Sequence, residues 1–287
     1  MCENRREECL KFDIREIFIE ACRKNDLEKV IMCCRSFGVD INTVSRYRGM
    51  VREATMSGLR EAASNRSGRL DMIDWLLAQP GIDVNLVTGD STALISACHA
   101  GNYRIVRQLV RTPGINLNWQ NNAGYTAAHC AAINSGSCVA TLAEVAGIDW
   151  NVKDNKGRTP LFKALQHGNT ALETILDNPS VNYLVRDNHG NTLAHAGSIS
   201  NSPFFGLYRD QIIKGLQLLT SLEDIPWNDK NNAGYTPLTL ALKNDIRDSA
   251  KVLLKCPWVD ATIADNEGRT PEMFARFVQL SIVSCLY

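Results

Sequence analysis

The chain has 287 residues, of which 31 are basic and 31 acidic, so its formal net charge at pH 7 is zero. This balance argues against a dedicated nucleic-acid binder, which would show a basic stripe, and gives no reason to expect an anionic membrane surface as partner. The first fifteen residues lack the apolar core of a signal peptide, and no run approaches the roughly 18 apolar residues of a spanning helix. We therefore expect no nucleic-acid and no membrane partner.

Ten cysteines are scattered along the chain and form no CxxC pair, so we expect no zinc site. Five of them lie at apolar positions of helical patterns, where a reduced thiol packs as a small hydrophobe: Cys22, Cys33, Cys98, Cys130 and Cys256. This usage indicates a reducing compartment, which would be the cytosol or the nucleus.

A threonine marks the same position in a phrase that recurs along the chain. It returns every 33 or 34 residues, with one interval of 44, at Thr92, Thr126, Thr159, Thr192, Thr236 and Thr270. Thr is a good helix N-cap, Pro suits the first helical position that follows it, and the Gly two residues before the Thr suits a turn with positive φ. Each copy continues with two short helical patterns, so a turn and two helices form the repeating unit.

The copies resemble the ankyrin repeat, whose period is about 33 residues. The resemblance rests on steps such as Thr159-Pro160-Leu161 and Thr236-Pro237-Leu238 and on hairpin phrases such as Gly114-Ile115-Asn116-Leu117-Asn118. It implies an all-α fold, an ankyrin-repeat solenoid of stacked helix-turn-helix units joined by β-hairpin-like loops, that forms a single domain over residues 1–287. It also implies that the hairpin Asn slot, filled by Asn85, Asn118, Asn151 and Asn228, is open to hydroxylation.

In chain order, the predicted repeats cover residues 14–42 (an N-terminal cap), 52–85, 87–118, 121–151, 154–184, 187–228, 231–262 and 265–287 (a C-terminal cap). A longer finger over residues 44–50 follows the first repeat. The interval of 44 places an insertion, residues 198–208, between the two helices of the sixth repeat. Its aromatic residues Phe204, Phe205 and Tyr208 either fold back onto their own helices or contact a partner.

We find no set of residues that would support catalysis. The sequence lacks a phosphate-binding loop, and no Cys–His pair has an orienting third group. His129 and His195 lie at the capping position, where the resemblance implies structural hydrogen bonds to the neighbouring hairpin. Trp150 and Trp227 occupy the inward slot of the hairpin phrase, which indicates packing. We therefore predict no enzyme, no cofactor and no metal.

The resemblance implies a binding module, because stacked repeats create an extended concave surface. Ankyrin proteins contact partners through the hairpin fingertips and the exposed positions of the first helix. The residues that match these positions, together with the two inserted phenylalanines, are Tyr125, Arg158, Tyr235, Lys156, His167, Asn191, Arg269, Phe204 and Phe205. We single out Tyr125, Arg158 and Tyr235, since Tyr and Arg are frequent interface hot spots; the alternative for each is a solvated surface residue.

Two functions follow from this resemblance. The first is a monomeric, non-catalytic scaffold, adaptor or inhibitor that binds a protein partner through its concave face and fingertips. The alternative is the ankyrin-repeat part of a larger signalling, channel or ubiquitin-ligase protein whose effector domain is not in this chain.

Overall fold

The computed structural model describes residues 14–48, 53–66, 70–168, 170–198 and 205–277. Helices dominate this part of the chain, and its paired strands form one small antiparallel hairpin. The predicted all-α repeat fold is therefore confirmed. The chain divides into two compact units, Met1–Ile148 and Asp149–Tyr287, which we call the N-terminal unit and the C-terminal unit.

The N-terminal unit consists of paired helices in two rows. Its elements are α1 (residues 14–24), α2 (Leu27–Phe37), β1 (Val44–Arg48), β2 (Glu53–Ser57), α3 (Gly58–Ala63), α4 (Asp71–Leu77), α5 (Ala93–Ala100), α6 (Tyr103–Val110), α7 (Ala127–Asn134) and α8 (Gly136–Ala143). Helices α3, α5 and α7 pack in one row, which we call the inner helices, and α4, α6 and α8 form the outer row. Each pair thus buries its apolar faces against the next pair.

The C-terminal unit repeats this arrangement. Its elements are α9 (Pro160–Gln166), α10 (Leu172–Leu176), α11 (Leu193–Ala196), α12 (Phe205–Leu219), α13 (Pro237–Lys243), α14 (Arg247–Lys255) and α15 (Pro271–Phe277). The inner helices are α9, α11, α13 and α15, and each packs on the next in that order. Outer helices α12 and α14 also pack together.

The finger after the first helix pair is a regular β-hairpin. Strands β1 and β2 pair antiparallel, with Val44 opposite Ser57 and Arg48 opposite Glu53. We predicted a longer finger over residues 44–50 but no strands. A polar hairpin held by backbone hydrogen bonds shows none of the apolar alternation from which strands are predicted.

The recurring threonines begin the inner helices as predicted. The side chains of Thr92, Thr126 and Thr236 each accept a hydrogen bond from the backbone N–H of the third helical residue. Pro160 and Pro237 occupy the first helical position. In α5, α7 and α13 one unpaired N–H is thereby satisfied within the repeat itself, whereas the Thr159 side chain makes no such bond to α9.

A row of small residues lets the inner helices approach each other closely. The position five residues after the capping Thr holds Ala97, Ala131, Ala164 and Ala241, all with no exposed surface. The sixth repeat has Gly197 in this slot, and a Cβ there would lie 2.9 Å from Leu216 Cδ1. The tight packing between neighbours therefore depends on side-chain size at one position per repeat.

The sixth repeat differs from the others in both of its helices. Inner helix α11 has only 4 residues, whereas outer helix α12 has 15 and begins at Phe205. The prediction of a loop over all of residues 198–208 is therefore wrong for 205–208, which are helical. Phe204 and the side chain of Phe205 lie outside the described part of the chain.

An asparagine at the end of each hairpin phrase joins neighbouring hairpins. Asn151 Nδ2 donates to the Ser180 carbonyl at 2.6 Å, and its Oδ1 accepts the Asn182 N–H at 2.7 Å. The same pair of bonds is made by Asn42, Asn85 and Asn228. We call this series the asparagine ladder. Each of these asparagines ties its repeat to the next through backbone groups, which explains why the phrase ends in Asn.

Candidate functional site

The predicted fingertips share one rigid turn. Its first residue is Asn or Asp, and one side-chain oxygen accepts the backbone N–H groups two and four residues later. In the described residues this holds for Asn121, Asp154, Asp187, Asn231 and Asp265. The Gly in fourth position has positive φ, for example 76° at Gly157. The turn is thus preorganised by its own side chain and does not depend on a partner for its shape.

The fingertips also stack on one another in the C-terminal unit. The Asn188 N–H donates to the Lys156 carbonyl at 2.9 Å, and the Asn232 N–H donates to the His189 carbonyl at 2.9 Å. A Cβ at Gly157 would lie 2.8 Å from the Asn188 backbone nitrogen. Glycine is therefore required at Gly157 both for its φ and for this close approach. The side chain of Lys156 is exposed at this surface.

In the N-terminal unit a groove runs along the inner helices beside the fingertips. It has a volume of about 540 Å³ and draws its walls from three successive repeats. Its polar and aromatic side chains include Arg60, Arg66, Ser91, His99, Tyr125 and Asn134. The volume lies in the range of binding pockets, roughly 300–1,000 Å³.

Tyr125 contributes a half-buried ring to this groove. The ring stacks on His129, with ring centroids 5.6 Å apart and the planes inclined by 12°. His129 is fully buried. A ring fixed in this way loses little conformational entropy when a ligand covers it, which favours Tyr125 as a contact residue.

Arg158 is held by its own finger. Its guanidinium donates to Asp154 Oδ2 through Nε at 3.0 Å and through a terminal nitrogen at 2.7 Å, and only 16% of its side chain is exposed. Burial opposes ionisation of Asp154, but the Arg158 guanidinium and the backbone N–H groups of the turn outweigh it and hold the pKa of this carboxyl below its usual value. The structure thus gives Arg158 a turn-stabilising contact that the sequence analysis did not foresee.

His167 lies close to the same ion pair, at the end of α9. Burial and the neighbouring charges of Lys163 and Arg158 lower the pKa of His167 to about 4. Lys163 is itself buried, 3.8 Å from Asp154 Oδ2. His167 is therefore neutral at pH 7 and can contact a partner only as a hydrogen-bonding ring.

Asn191 is buried rather than exposed. Its side chain donates to Asp187 Oδ2 and accepts a hydrogen bond from Asn231 Nδ2, both at 2.9 Å. We expected a surface contact because the position precedes the capping Thr. A short amide side chain turns inward there and joins two successive fingers.

Tyr235 is also buried, with 8% of its surface exposed. Its hydroxyl oxygen accepts hydrogen bonds from Lys243 Nζ at 2.8 Å and from the Arg269 guanidinium at 3.1 Å. The Lys243 ammonium also lies 4.0 Å from the centroid of the Tyr235 ring, and Phe274 packs edge-on against that ring. The structure brings Tyr235 and Arg269 into contact and adds Lys243 to them.

Outer helices α12 and α14 border a second groove, of about 450 Å³. Its walls mix acidic and basic side chains, among them Asp210, Asp248, Lys251 and Lys255. Arg209 pairs with Asp248 in this region. Among the described residues that line this groove there is no aromatic side chain, and the acidic and basic groups are equal in number, so these residues carry no net charge.

Comparison with known proteins agrees with the repeat geometry. The family model for ankyrin repeats, in three copies, matches residues 59–154. Among solved structures, the crystal structure of the ankyrin repeat domain of Bcl-3, described as a unique member of the IkappaB protein family, matches with a TM-score of 0.63 at 20% sequence identity. The match covers 79% of this chain and 96% of the Bcl-3 chain. Residues 59–154 of this chain are thus ankyrin repeats, and the chain has the ankyrin-repeat fold. No curated protein matches its sequence.

The two capping histidines make structural hydrogen bonds. His129 Nδ1 lies 2.9 Å from Thr126 Oγ1, and His195 Nδ1 lies 2.9 Å from Thr192 Oγ1. His195 Nε2 is 2.9 Å from the Tyr235 carbonyl, to which it donates, because its Nδ1 accepts the Thr192 N–H. Burial lowers the pKa of His195 to about 4, although the bond to Tyr235 acts in the opposite direction.

The predicted packing residues of the ankyrin repeats are buried. Cys22, Cys33, Cys98, Cys130 and Cys256 each expose 5% or less of their surface, and the cysteines in the described residues are free thiols. Burial raises the pKa of the Cys22 and Cys33 thiols, which suits packing and not nucleophilic attack. Trp150 and Trp227 are likewise buried.

Two further observations concern the described residues alone. They contain no group of three or more His, Cys, Asp or Glu side chains that could hold a metal ion. None of their helices is both long and apolar enough to cross a bilayer.

The sequence analysis missed a local signal at the fingertips. In two of the described fingers that begin with Asp, at Asp154 and Asp265, the fifth residue is Arg158 or Arg269, and the Asp and the Arg form an ion pair; in the finger that begins with Asp187 the fifth residue is Asn191. Where it begins with Asn121 or Asn231, the fifth residue is Tyr. An Asp and an Arg four residues apart in a tight turn are within pairing distance, so this spacing could have identified the engaged arginines.

Proposed function

We propose that this ankyrin-repeat protein is a non-catalytic module that binds a protein partner through its fingertips and the inner-helix surface beside them. The groove of the N-terminal unit is the observation that supports this proposal most directly. It combines a preorganised tyrosine ring with arginine, histidine and hydroxyl groups from three repeats. Tyr and Arg are enriched among interface hot spots, and ankyrin arrays offer such surfaces to macromolecules.

The buried, reduced cysteines support a place in the cytosol or the nucleus, where thiols stay reduced. A role as scaffold, adaptor or inhibitor fits a surface that binds but lacks a catalytic set.

Affinity capture with the full chain as bait, followed by mass spectrometry and direct titration of each purified hit, tests the proposal. The variant Arg66→Ala/His99→Ala changes two exposed groove residues, and Arg104→Ala/Arg107→Ala changes two exposed residues of α6 outside the groove. We expect the groove variant to bind the hit about tenfold more weakly and the α6 variant to bind it normally. Equal effects of both variants, or none, would contradict the proposal.

The three residues singled out from the sequence, Tyr125, Arg158 and Tyr235, are not suitable for this test. Arg158 holds its own turn and Tyr235 is buried, so replacing both by Ala would also lower stability. A loss of binding could then be a loss of folded protein.

A further inference from the structure

The contacts around Tyr235 leave one hydrogen-bond donor without an acceptor. The hydroxyl oxygen accepts from both Lys243 and Arg269, which directs the O–H bond away from these two cations. In the described residues no acceptor faces this proton, and only 8% of the surface of Tyr235 is exposed. A buried donor without a partner costs free energy, so a ligand that accepts this hydrogen bond is favoured.

The two cations that contact Tyr235 differ in their ion pairs. Arg269 forms ion pairs with Asp265 and Glu267, and these contacts, Asp265 first, raise the pKa of its guanidinium. Lys243 is exposed and makes no ion pair within the described part of the chain. The cluster therefore has one ammonium group that can pair with an added negative charge.

We propose that Lys243, Tyr235 and Arg269 form a binding site for one carboxylate side chain, Asp or Glu, of the protein partner. One carboxylate oxygen accepts the Tyr235 O–H and a second N–H of Lys243. A phosphoryl group would bring roughly two negative charges to a single unpaired ammonium. It would also face the exposed Glu267 carboxylate. The site therefore favours a carboxylate over a phosphoryl group.

The site is rigid before the ligand arrives. Phe274 packs edge-on on Tyr235 with ring centroids 6.3 Å apart, and the Arg269 guanidinium lies 5.1 Å from the centroid of the Phe274 ring. Asp265, which holds Arg269, is 1% exposed in its side chain. Preorganised donors of this kind lose less entropy on binding and improve affinity.

This inference rests on the proposed function, and a peptide selection tests both. A random peptide library is selected on the immobilised full chain, and each enriched peptide is synthesised with fluorescein, together with its Glu→Gln or Asp→Asn twin. Fluorescence anisotropy then gives the affinity of each peptide for the wild type and for Lys243→Gln. The exposed Lys214→Gln in α12 is the matched control.

We expect one acidic residue of the selected peptide to matter. The amide twin binds the wild type about tenfold more weakly than the acidic peptide does. Lys243→Gln binds the acidic peptide about tenfold more weakly than the wild type does. The amide twin binds Lys243→Gln no more weakly than this, because both changes remove the same contact. Lys214→Gln has no effect. Tyr235→Phe, which keeps the ring, also weakens the acidic peptide while its melting temperature shows that it is folded.

Each other outcome has a distinct meaning. Enriched peptides whose binding does not couple to Lys243 overturn the carboxylate site and leave the proposed function standing. A phosphoserine twin that binds about tenfold more tightly than the Glu peptide overturns the choice of carboxylate. If no peptide is enriched and the full chain captures no partner, the proposed function fails, and the site fails with it.

Discussion

At the scale of single residues, identical positions in successive repeats perform different tasks. At the position before the capping Thr, Arg158 forms an ion pair with Asp154, whereas Asn191 is buried and bonds to Asn231. Tyr235, at the same position, accepts a hydrogen bond from the Lys243 ammonium group. The asparagine ladder shows the same variation, because Leu184 occupies the Asn slot of the fifth repeat and is half exposed. The next hairpin has Pro226 at the position that elsewhere donates an N–H, so an Asn at 184 would lack one of its two partners.

Replacing a ladder residue should lower stability only where the ladder exists. We expect Asn151→Ala to lower the free energy of unfolding by about 1–2 kcal/mol, because it removes hydrogen bonds to Ser180 and Asn182. Leu184→Ala in the equivalent slot should change it by less than about 0.5 kcal/mol. Urea denaturation monitored by circular dichroism measures both. Similar losses for the two variants would mean that the ladder does not stabilise the fold.

The buried His195 should make stability depend on pH. Its folded pKa of about 4 lies below the ordinary value of about 6.5, so the unfolded chain binds more protons as the pH falls below 6.5. The contribution of His195 is thus complete above pH 6.5 and is lost as the pH falls toward 4. Between pH 7 and pH 5 it amounts to about 2 kcal/mol.

Urea titrations at pH 7 and pH 5 measure this contribution. We expect the difference between the two pH values to be about 2 kcal/mol smaller in His195→Gln than in the wild type. Should His195→Gln not fold, nitrogen NMR of the wild-type ring gives the same answer. A ring that protonates near pH 6.5 in the folded protein would contradict the assignment.

At the scale of elements, α12 shows how packing overrides intrinsic preference. Glycine disfavours a helix interior, yet Gly215 lies in the middle of this helix. A Cβ at Gly215 would lie 2.8 Å from Leu165 Cδ1 and 3.0 Å from Leu172 Cδ2. The glycine therefore allows α12 to approach α9 and α10, which compensates for its low helix propensity.

The sign of the effect of Gly215→Ala distinguishes packing from propensity. If propensity dominated, the change would stabilise the protein by about 1 kcal/mol. We expect it instead to lower the free energy of unfolding by about 1–3 kcal/mol, because the added methyl group overfills the contact with Leu165 and Leu172. Thermal and urea denaturation of the full chain measure it, and a gain in stability would refute the packing argument.

At the scale of the whole molecule, each repeat is stabilised only by its contacts with neighbouring repeats, so a repeat with poorer contacts should have a lower local stability. The sixth repeat combines the short helix α11 with the neighbouring junction at which Leu184 replaces the ladder Asn. Helices α5 and α7 in the N-terminal unit have eight residues each. Local stability should therefore be lower around α11 than within the stack of α5 and α7.

Hydrogen exchange measured by mass spectrometry should show this difference. We expect amides of α11 to exchange at least about tenfold faster than those of α5 and α7 under native conditions. Peptides from α13, which is capped by Thr236, serve as an internal control within the same unit as α11 and should remain protected. Uniform protection of all these helices would show that the fold is more cooperative than its repeat interfaces indicate.

The sequence by itself determined the repeat, its period, the capping threonines and the burial of the cysteines and of Trp150 and Trp227. These features depend on contacts within one repeat or on the same contact made many times, so local chemistry predicts them. Only the tertiary structure decided which neighbours engage each of several similar side chains. Tyr125 and Tyr235 precede the same Thr, but Tyr235 is covered by Lys243, Arg269 and Phe274. The burial of such a residue depends on the side chains of the next repeat, about 33 positions along the chain, and no local pattern records them.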